Sequence, residues 1–361
     1  MLNFYEYELP FHRSLITGSG TYHNRKGIII RYHDGHHDLL SEASPLPGFS
    51  DVTLDEAKTV LLKNKETINR FLGSDFSAGG VKTFLSQIPQ APSIQFSVSF
   101  LAVSLLAKRK ETSPGNILGL QPAEEVLVND MIGLRQSMDL IRKIEESAAR
   151  GFSTIKIKVS ESPYELAETL TLAAGRFEGI TFRLDANQSW PVDKLREFSS
   201  LFQDLPIQYI EEPVMMTGLN QINHVQKECV LPVALDESIS RPDALETVLK
   251  KYPDLFVIIK PMLFGNILNL AETISTFRST HKNVVFTTAL ESKIGRAMTA
   301  DLASYLGDKT LAHGLNTGRF LKRDLFPDLN INNGRIDTRK SQLNQCVFDN
   351  IDLSLLKTLD L

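Results

Sequence analysis

Several features that mark other protein classes are absent from this sequence of 361 residues. It contains only two cysteines, Cys229 and Cys346, which lie far apart without metal-ligand spacing, so neither a disulfide framework nor a zinc site is expected. No stretch reaches the roughly 18 apolar residues that a membrane span needs, and residues 1–8 lack the basic start of a secretion signal. We therefore expect a cytoplasmic protein without a membrane partner.

An excess of one charge is also missing. The formal net charge is −4, the pI is near 6.1, and lysine and arginine are scattered, so no basic surface for nucleic acid is indicated. The hydrophobic content of 42% is sufficient for a large core and argues against disorder. We expect a small-molecule substrate and no nucleic acid, while a homo-oligomer stays open.

What the sequence does contain is a repeat of short apolar strands, each followed by a stretch of helical periodicity. The predicted strands are 126–129, 154–159, 181–185, 207–211, 231–236, 255–260, 283–288 and 310–316. No Gly-x-Gly-x-x-Gly follows a strand, and the strand ends carry charged residues, which favours a barrel over an open doubly wound sheet. We predict an α/β fold: a TIM-like (β/α) barrel of seven to eight βα units.

The part of the chain before the barrel follows another pattern. Alternating strands around 28–32 and 38–43 flank the turn signal Asp34-Gly35, and a helix is predicted to begin near Leu54. We predict an N-terminal α+β capping domain over 1–120, joined by the C-terminal tail 325–361, with the catalytic barrel over 121–324. The Gly-rich segment 15–21 is either a loop over the active site or an ordinary connection.

Two lysines stand out within the second predicted barrel strand. Lys156 and Lys158 are two residues apart, so both side chains point to the same side of the strand. Like charges held together in an interior are costly unless an anion joins them. A solvated edge strand would explain the pair without any function.

Each of the next three strands ends in a carboxylate: Asp185, Glu211 and Asp236. Because strand ends meet at one rim of a barrel, these oxygens are expected to converge on Mg²⁺, for which Mn²⁺ could substitute. For each residue alone, a helix cap or a loop salt bridge is the simpler interpretation. Glu212 and Glu237 are offset by one position, so we expect them to face away and to support the ligands.

Lys260 ends the following strand and should lie almost opposite the first lysine pair. The three lysines, the three carboxylates and one Mg²⁺ leave a formal charge of +2 at the rim, which favours a dianionic substrate such as a dicarboxylate.

The motifs Lys-x-Lys, Asp-Ala-Asn, Glu-Glu-Pro, Asp-Glu-Ser and Lys-Pro, in this order and spacing, resemble the enolase superfamily in its muconate-lactonising subgroup. The segments 41–50 and 128–132 are similar to parts of the same family, so the resemblance covers nearly the whole chain. The family implies that a lysine base removes the α-proton of a carboxylate while a metal stabilises the ene-diolate. It implies the ligands Asp185, Glu211 and Asp236, with Lys158 as base, Lys156 beside it and Lys260 across from it.

Within the subgroup, the resemblance is greatest to the hydro-lyases that dehydrate 2-succinyl-6-hydroxy-2,4-cyclohexadiene-1-carboxylate to 2-succinylbenzoate in menaquinone biosynthesis. It makes five residues candidates for substrate binding: Asn187, Thr288, Glu291, Ser292 and Asn316.

Other activities remain open at this point. An N-acylamino acid racemase or dipeptide epimerase of the same superfamily would use two opposed lysines, although the Asp-x-Asp pair typical of the epimerases is missing from 313–318. A Schiff-base aldolase built on Lys260 would leave the three carboxylates unexplained. A catalytically silent binding barrel would have no need for the intact lysines and carboxylates.

Overall fold

The computed structural model describes residues 1–17, 20–133, 136–160, 162–339 and 341–359, so the central residues of the predicted loop 15–21 lie outside the described part of the chain. The strands are β1 (Leu2–Thr17), β2 (Gly20–His33), β3 (Asp38–Ala43), β4 (Glu125–Leu127), β5 (Asp130–Ile132), β6 (Thr154–Lys158), β7 (Thr181–Asp185), β8 (Ile207–Glu211), β9 (Val233–Leu235), β10 (Phe256–Ile259), β11 (Val284–Phe286), β12 (Arg335–Asp337) and β13 (Leu356–Leu359).

The helices are α1 (Leu54–Gly73), α2 (Ala78–Leu85), α3 (Pro92–Arg109), α4 (Pro114–Ile117), α5 (Ser137–Ala149), α6 (Tyr164–Arg176), α7 (Leu195–Ser200), α8 (Ile222–Glu228), α9 (Pro242–Lys251), α10 (Pro261–Phe264), α11 (Ile267–Phe277) and α12 (Lys293–Leu306). Among the described residues, no helix is both long and apolar enough to cross a lipid bilayer.

The N-terminal part forms an antiparallel sheet with the strand order β13-β1-β2-β3, followed by helices. As predicted, β2 and β3 form a hairpin, whose turn is held by backbone N–H groups that donate to the Asp34 carboxylate. Helix α1 begins at a capping box made by Thr53 and Glu56. Helix α3 is buried along most of its length because it packs against both β3 and the barrel helix α10.

The second sheet is a curled parallel sheet in which β5 to β11 pair in chain order. Helices follow its strands on the outside, as the alternation of short apolar strands and periodic helices predicts. The predicted eighth strand is reduced to two single bridges, one from Val128 to His313 and one from Thr287 to Gly314. These bridges connect both edges of the sheet to the same segment and so bring the edges together.

The fold class is thus confirmed, whereas the first predicted barrel strand was misplaced. Residues 125–127 pair antiparallel with β12, and the first parallel strand is β5, which lies within the segment 128–132 whose resemblance to the family implied the first barrel strand. The C-terminal strand β13 pairs with β1 in the cap sheet. The exact domain boundaries, 1–120 and 121–324, remain a prediction.

Candidate active site

The strand register brings the predicted residues to one end of the barrel, which we call the mouth. Lys158 is paired with Asp185 across β6 and β7, and Asp185 is paired with Glu211 across β7 and β8. Asp236 and Lys260 directly follow β9 and β10. Five residues that are distant in sequence therefore share the carboxyl ends of neighbouring strands, where barrel enzymes carry their chemistry.

Two of the lysines form ion pairs with the carboxylates. Lys156 Nζ lies 2.9 Å from Asp185 Oδ2 and 2.6 Å from Glu211 Oε1. Burial disfavours its charge, but these two carboxylates outweigh burial and raise the pKa of Lys156 well above its usual value. Lys260 is paired in the same way with Asp236, and its pKa is raised by Asp236 and Glu237 against the effect of burial.

Lys158 has a different partner. Its Nζ donates to the amide oxygen of Asn187, and the Asn187 amide nitrogen donates to Glu237 Oε1 at 3.2 Å. Asn187, predicted to bind substrate, is therefore placed at the mouth in contact with Lys158. The lysines differ in environment: Lys156 and Lys260 contact carboxylates, whereas Lys158 contacts a neutral amide.

Two of the carboxylates at the mouth each have an oxygen that no group in the described ranges satisfies. Asp185 Oδ1 and Glu211 Oε2 are buried without a hydrogen-bond partner. Burial, together with the neighbouring Asp185 and Asp236, raises the pKa of Glu211 to about 8 despite the opposing effect of Lys156. Buried anionic oxygens without partners are unfavourable unless a cation joins them, so the donor set fits a divalent ion.

The three predicted ligands do not converge on one point in the described structure. Nowhere in the ranges described is a group of three or more His, Cys, Asp or Glu side chains close enough to hold a metal ion. The reason is that ammonium groups lie between the carboxylates: Lys156 Nζ separates Asp185 from Glu211, and Lys260 Nζ binds Asp236. Metal ligation by these residues stays a prediction.

The two glutamates offset by one residue have different roles. Glu212 faces away from the axis, as expected, and its carboxylate accepts hydrogen bonds from the backbone of Asp236 at 2.9 Å and of Ser238 at 2.8 Å. The expectation that Glu237 also faces away was wrong. The chain turns into a short 3-10 helix, Glu237–Ile239, directly after Asp236, so strand alternation no longer applies and Glu237 reaches Asn187.

Arg183 is a charged residue near the site that the sequence arguments missed. It is fully buried, and its guanidinium lies 4.9 Å from the Tyr209 ring centroid. Among the described residues its hydrogen-bond acceptors are neutral, on Asn129, Gln208 and Ala312, and its Nη2 has no partner. Its position two residues before Asp185 on one strand places both side chains on the same face. The spacing could therefore have indicated from the sequence that Arg183 lies near the site. Arg183 adds a positive charge to the barrel interior that forms no ion pair within the described ranges but is attracted by Glu211.

Thr288 and Asn316, both predicted to bind substrate, are engaged by protein groups. The Thr288 hydroxyl shares a hydrogen bond of 2.6 Å with Thr317, and the Asn316 amide donates to Asp130 at 2.8 Å. The adjacent Thr287 lines a cavity of about 20 Å³ together with Lys156, Glu211 and Asn316. Asn316 therefore lies at this interior cavity, whereas Thr288 is not one of its lining residues and reaches it only through Thr317.

Glu291 and Ser292, the remaining substrate-binding candidates, lie in a cluster that we call the cap–barrel joint, formed with Glu42 of β3 and Gly295. The Glu42 carboxylate accepts from the backbone and the hydroxyl of Ser292 and, at 2.9 Å, from Gly295 N. All of these side chains are fully buried. Substrate binding by Glu291 and Ser292 is not supported by this placement, because Ser292 joins the barrel to Glu42 of the cap and Glu291 is buried with its carboxylate accepting from Ala289 N.

The cap also reaches the mouth directly. The ring centroid of Phe49 lies 5.1 Å from Lys260 Nζ, a geometry in which the π face attracts the ammonium group. Phe49 sits in a turn held by hydrogen bonds to Leu46 O. A larger cleft of about 440 Å³ lies between α2, α3, α9 and α11 and contains none of the predicted site residues.

Comparison with known proteins agrees with this architecture. Residues 139–341 match the family described as "Enolase C-terminal domain-like", and residues 1–105 match "MenC, N-terminal domain". The o-succinylbenzoate synthase of Escherichia coli K12 is 26% identical over 317 residues, covering 87% of this chain and 89% of that protein. The synthase of Shigella boydii is 25% identical over 87% of this chain and 89% of its own length.

Solved structures show the same fold. A muconate lactonizing enzyme from Pseudomonas fluorescens, complexed with muconolactone, superposes with a TM-score of 0.83 at 14% identity, covering 99% of this chain and 98% of that one. An o-succinylbenzoate synthase from Thermosynechococcus elongatus BP-1, complexed with Mg in its active site, gives 0.70 at 23% identity, covering 91% and 95%.

Together the matches indicate an enzyme of the lyase class. Because the C-terminal family match alone spans more than half of its length, the chain belongs to the enolase superfamily.

Proposed function

We propose that this enzyme catalyses the Mg²⁺-dependent syn dehydration of 2-succinyl-6-hydroxy-2,4-cyclohexadiene-1-carboxylate to 2-succinylbenzoate, a step of menaquinone biosynthesis. The observation that carries the proposal is the pair of strand-end lysines, Lys158 and Lys260, at a barrel mouth with three carboxylates, two of which, Asp185 and Glu211, have an unsatisfied buried oxygen. Relatives named o-succinylbenzoate synthase and the N-terminal family match support this member of the superfamily.

The charge of the site favours a dianion. The formal charge of the site is +2 when three lysines, three carboxylates and one Mg²⁺ are counted. Glu237 lowers this charge by one, and the buried Arg183 raises it again by one. A dicarboxylate therefore fits better than a zwitterionic dipeptide, whose ammonium group would need an acidic partner. The Asp-x-Asp pair that would serve this purpose is missing from 313–318.

Each residue then has a defined task. A bound Mg²⁺, held by Asp185, Glu211 and Asp236, would supply Lewis-acid stabilisation of charge that develops on the substrate carboxylate. Lys158 takes the proton from the ring carbon and returns it to the hydroxyl that leaves from the same face as water. Lys260, paired with Asp236 and Phe49, acts as a fixed cation on the other face.

The test is to give the purified enzyme and Mg²⁺ this substrate and to follow its absorbance, with N-succinylamino acids and dipeptides examined in parallel for deuterium incorporation. We expect rapid dehydration that a chelator abolishes and that Lys158→Ala lowers by at least about 10³-fold, because the only proton acceptor is removed. Exchange at the α-carbon without dehydration would instead favour a racemase, which the two opposed lysines could also serve. Covalent trapping of substrate on Lys260 by borohydride would indicate a Schiff-base aldolase.

A further inference from the structure

We propose that Glu237 is a positioning residue for Lys158 and that it acts through the amide of Asn187. The inference rests on the proposed function, since it assigns proton abstraction to Lys158. It adds to that function by identifying the groups that orient the base. None of the sequence motifs suggested this role.

The hydrogen bonds define the orientation of the amide. Asn187 has φ +45°, a left-handed conformation that asparagine tolerates better than most residues, so the turn presents its side chain to Lys158. The amide has one acceptor end and one donor end. The Lys158 ammonium can only donate, so the amide oxygen must face its Nζ and the amide nitrogen faces Glu237 Oε1, which accepts at 3.2 Å.

Lys158 depends on this contact more than the other lysines depend on theirs. Lys156 and Lys260 are each held by a carboxylate, whereas the ion pairs found in the described ranges do not include Lys158. Its flexible four-carbon stem would otherwise sample many positions. An amide oxygen can accept from both an ammonium and a neutral amine, so the contact survives proton transfer.

Glu237 is itself held firmly in place. The Glu212 carboxylate accepts from the backbone N–H groups of the two residues that flank Glu237, at 2.9 Å from Asp236 and 2.8 Å from Ser238. The backbone of Glu237 is thus fixed on both sides. A continuous set of hydrogen bonds links the loop of the third predicted ligand to the base on the other side of the mouth.

The experiment compares Glu237→Ala with Glu237→Gln in the complete enzyme. Measurements are kcat and KM for the cyclohexadiene substrate, the primary deuterium isotope effect at the abstracted position, and Mn²⁺ affinity by electron paramagnetic resonance. We expect Glu237→Ala to lower kcat about 10- to 100-fold and to raise the isotope effect, because a misplaced base slows proton abstraction. KM and Mn²⁺ affinity should stay within about twofold of wild type, and Glu237→Gln, which retains an acceptor oxygen, should recover most of kcat.

Three further variants distinguish a misplaced base from a misfolded protein. Asn187→Ala at the open mouth should reproduce the loss, and combining it with Glu237→Ala should add little, because both remove the same contact. Asp243→Ala, which changes a carboxylate that is 79% exposed at the start of α9, should leave all four measurements unchanged.

Equal losses in Glu237→Gln and Glu237→Ala, or a loss of Mn²⁺ affinity that parallels kcat, would show that Glu237 acts through its charge on the metal and would overturn the positioning role. An active wild type with an unimpaired Glu237→Ala would overturn the positioning role alone. A wild-type enzyme that does not dehydrate the substrate overturns the proposed function, and this inference with it.

Discussion

Two clusters of buried carboxyl groups can be compared within this molecule: one at the barrel mouth and one at the cap–barrel joint. At the mouth, Asp185 and Glu211 are paired with Lys156 and still leave oxygens without partners. At the joint, Glu42 receives hydrogen bonds from Tyr7, Ser44, Ser292 and Gly295, all of them neutral donors. The second carboxyl group there, Glu291, accepts from Ala289 N and leaves its Oε1 without a partner, but no lysine of the described ranges lies between the two.

The difference separates function from stability. A buried carboxylate surrounded by neutral donors at the start of a helix is satisfied by the protein itself, so it stabilises the contact between α12 and the cap. Carboxylates crowded together with lysines and unsatisfied oxygens are unfavourable for the isolated protein and become favourable only with a ligand. We therefore expect substitutions at the mouth to affect activity and those at the joint to affect folding.

The largest effect should come from Glu211→Gln. Dehydration should fall by more than about 10³-fold with loss of Mn²⁺ binding, because one of the three charged ligands is removed. The free energy of unfolding of the metal-free protein should be unchanged or higher, since repulsion among neighbouring carboxylates is reduced. Kinetics, electron paramagnetic resonance and urea unfolding measure the three quantities. A strong decrease in the free energy of unfolding of metal-free Glu211→Gln would contradict the distinction between a functional cluster at the mouth and a structural cluster at the joint.

Glu42→Ala should have the next largest effect. It leaves the buried donors of Tyr7 on β1, of Ser44 just after β3 and of Ser292 and Gly295 at the start of α12 without this acceptor, which should lower the free energy of unfolding by about 4 kcal/mol. The kcat per folded molecule should remain near that of wild type, because Glu42 does not contact the mouth residues. Glu42→Gln, a matched variant of similar size, should cost less. A selective loss of kcat in a stably folded Glu42→Gln would contradict the structural assignment.

The smallest effect is a pH dependence at the joint. Burial, and then the nearby Glu42, raises the pKa of Glu291 from 4.5 to about 7. The folded protein therefore binds this proton more tightly than the unfolded chain, so the stabilisation is complete below pH 4.5 and is lost as the pH rises to about 7. The shift corresponds to a loss of up to about 3 kcal/mol. Urea unfolding of wild type and Glu291→Gln across this range should show a shallower pH dependence in the variant.

The ordered strand ends made the fold class and the neighbourhood of the site predictable. The position of Lys158, Asp185 and Glu211 at the mouth could be predicted from the strand period of two and the common direction of parallel strands. The position of Asp236 and Lys260 could be predicted in the same way.

The failures occurred where the chain leaves regular structure or where contacts are distant in sequence. Strand alternation gave the wrong direction for Glu237, because a 3-10 helix begins there. The involvement of Ser292 with Glu42 joins residues 250 positions apart, which no local pattern reveals. The first barrel strand was misplaced because residues 125–127 have strand character but pair with β12.

The pairing of β1 with β13 joins segments that are far apart in the chain, because Phe4 lies opposite Leu359. During synthesis, β1 and β2 emerge long before β13, so one edge of their sheet stays open until β13 has left the ribosome. An open edge offers unpaired backbone groups to other chains, so β1 is most exposed to misassociation at that stage. Completion of the cap sheet is therefore a late event in folding. In the chain, the catalytic barrel lies between β1 and β13, the two strands whose pairing completes this sheet.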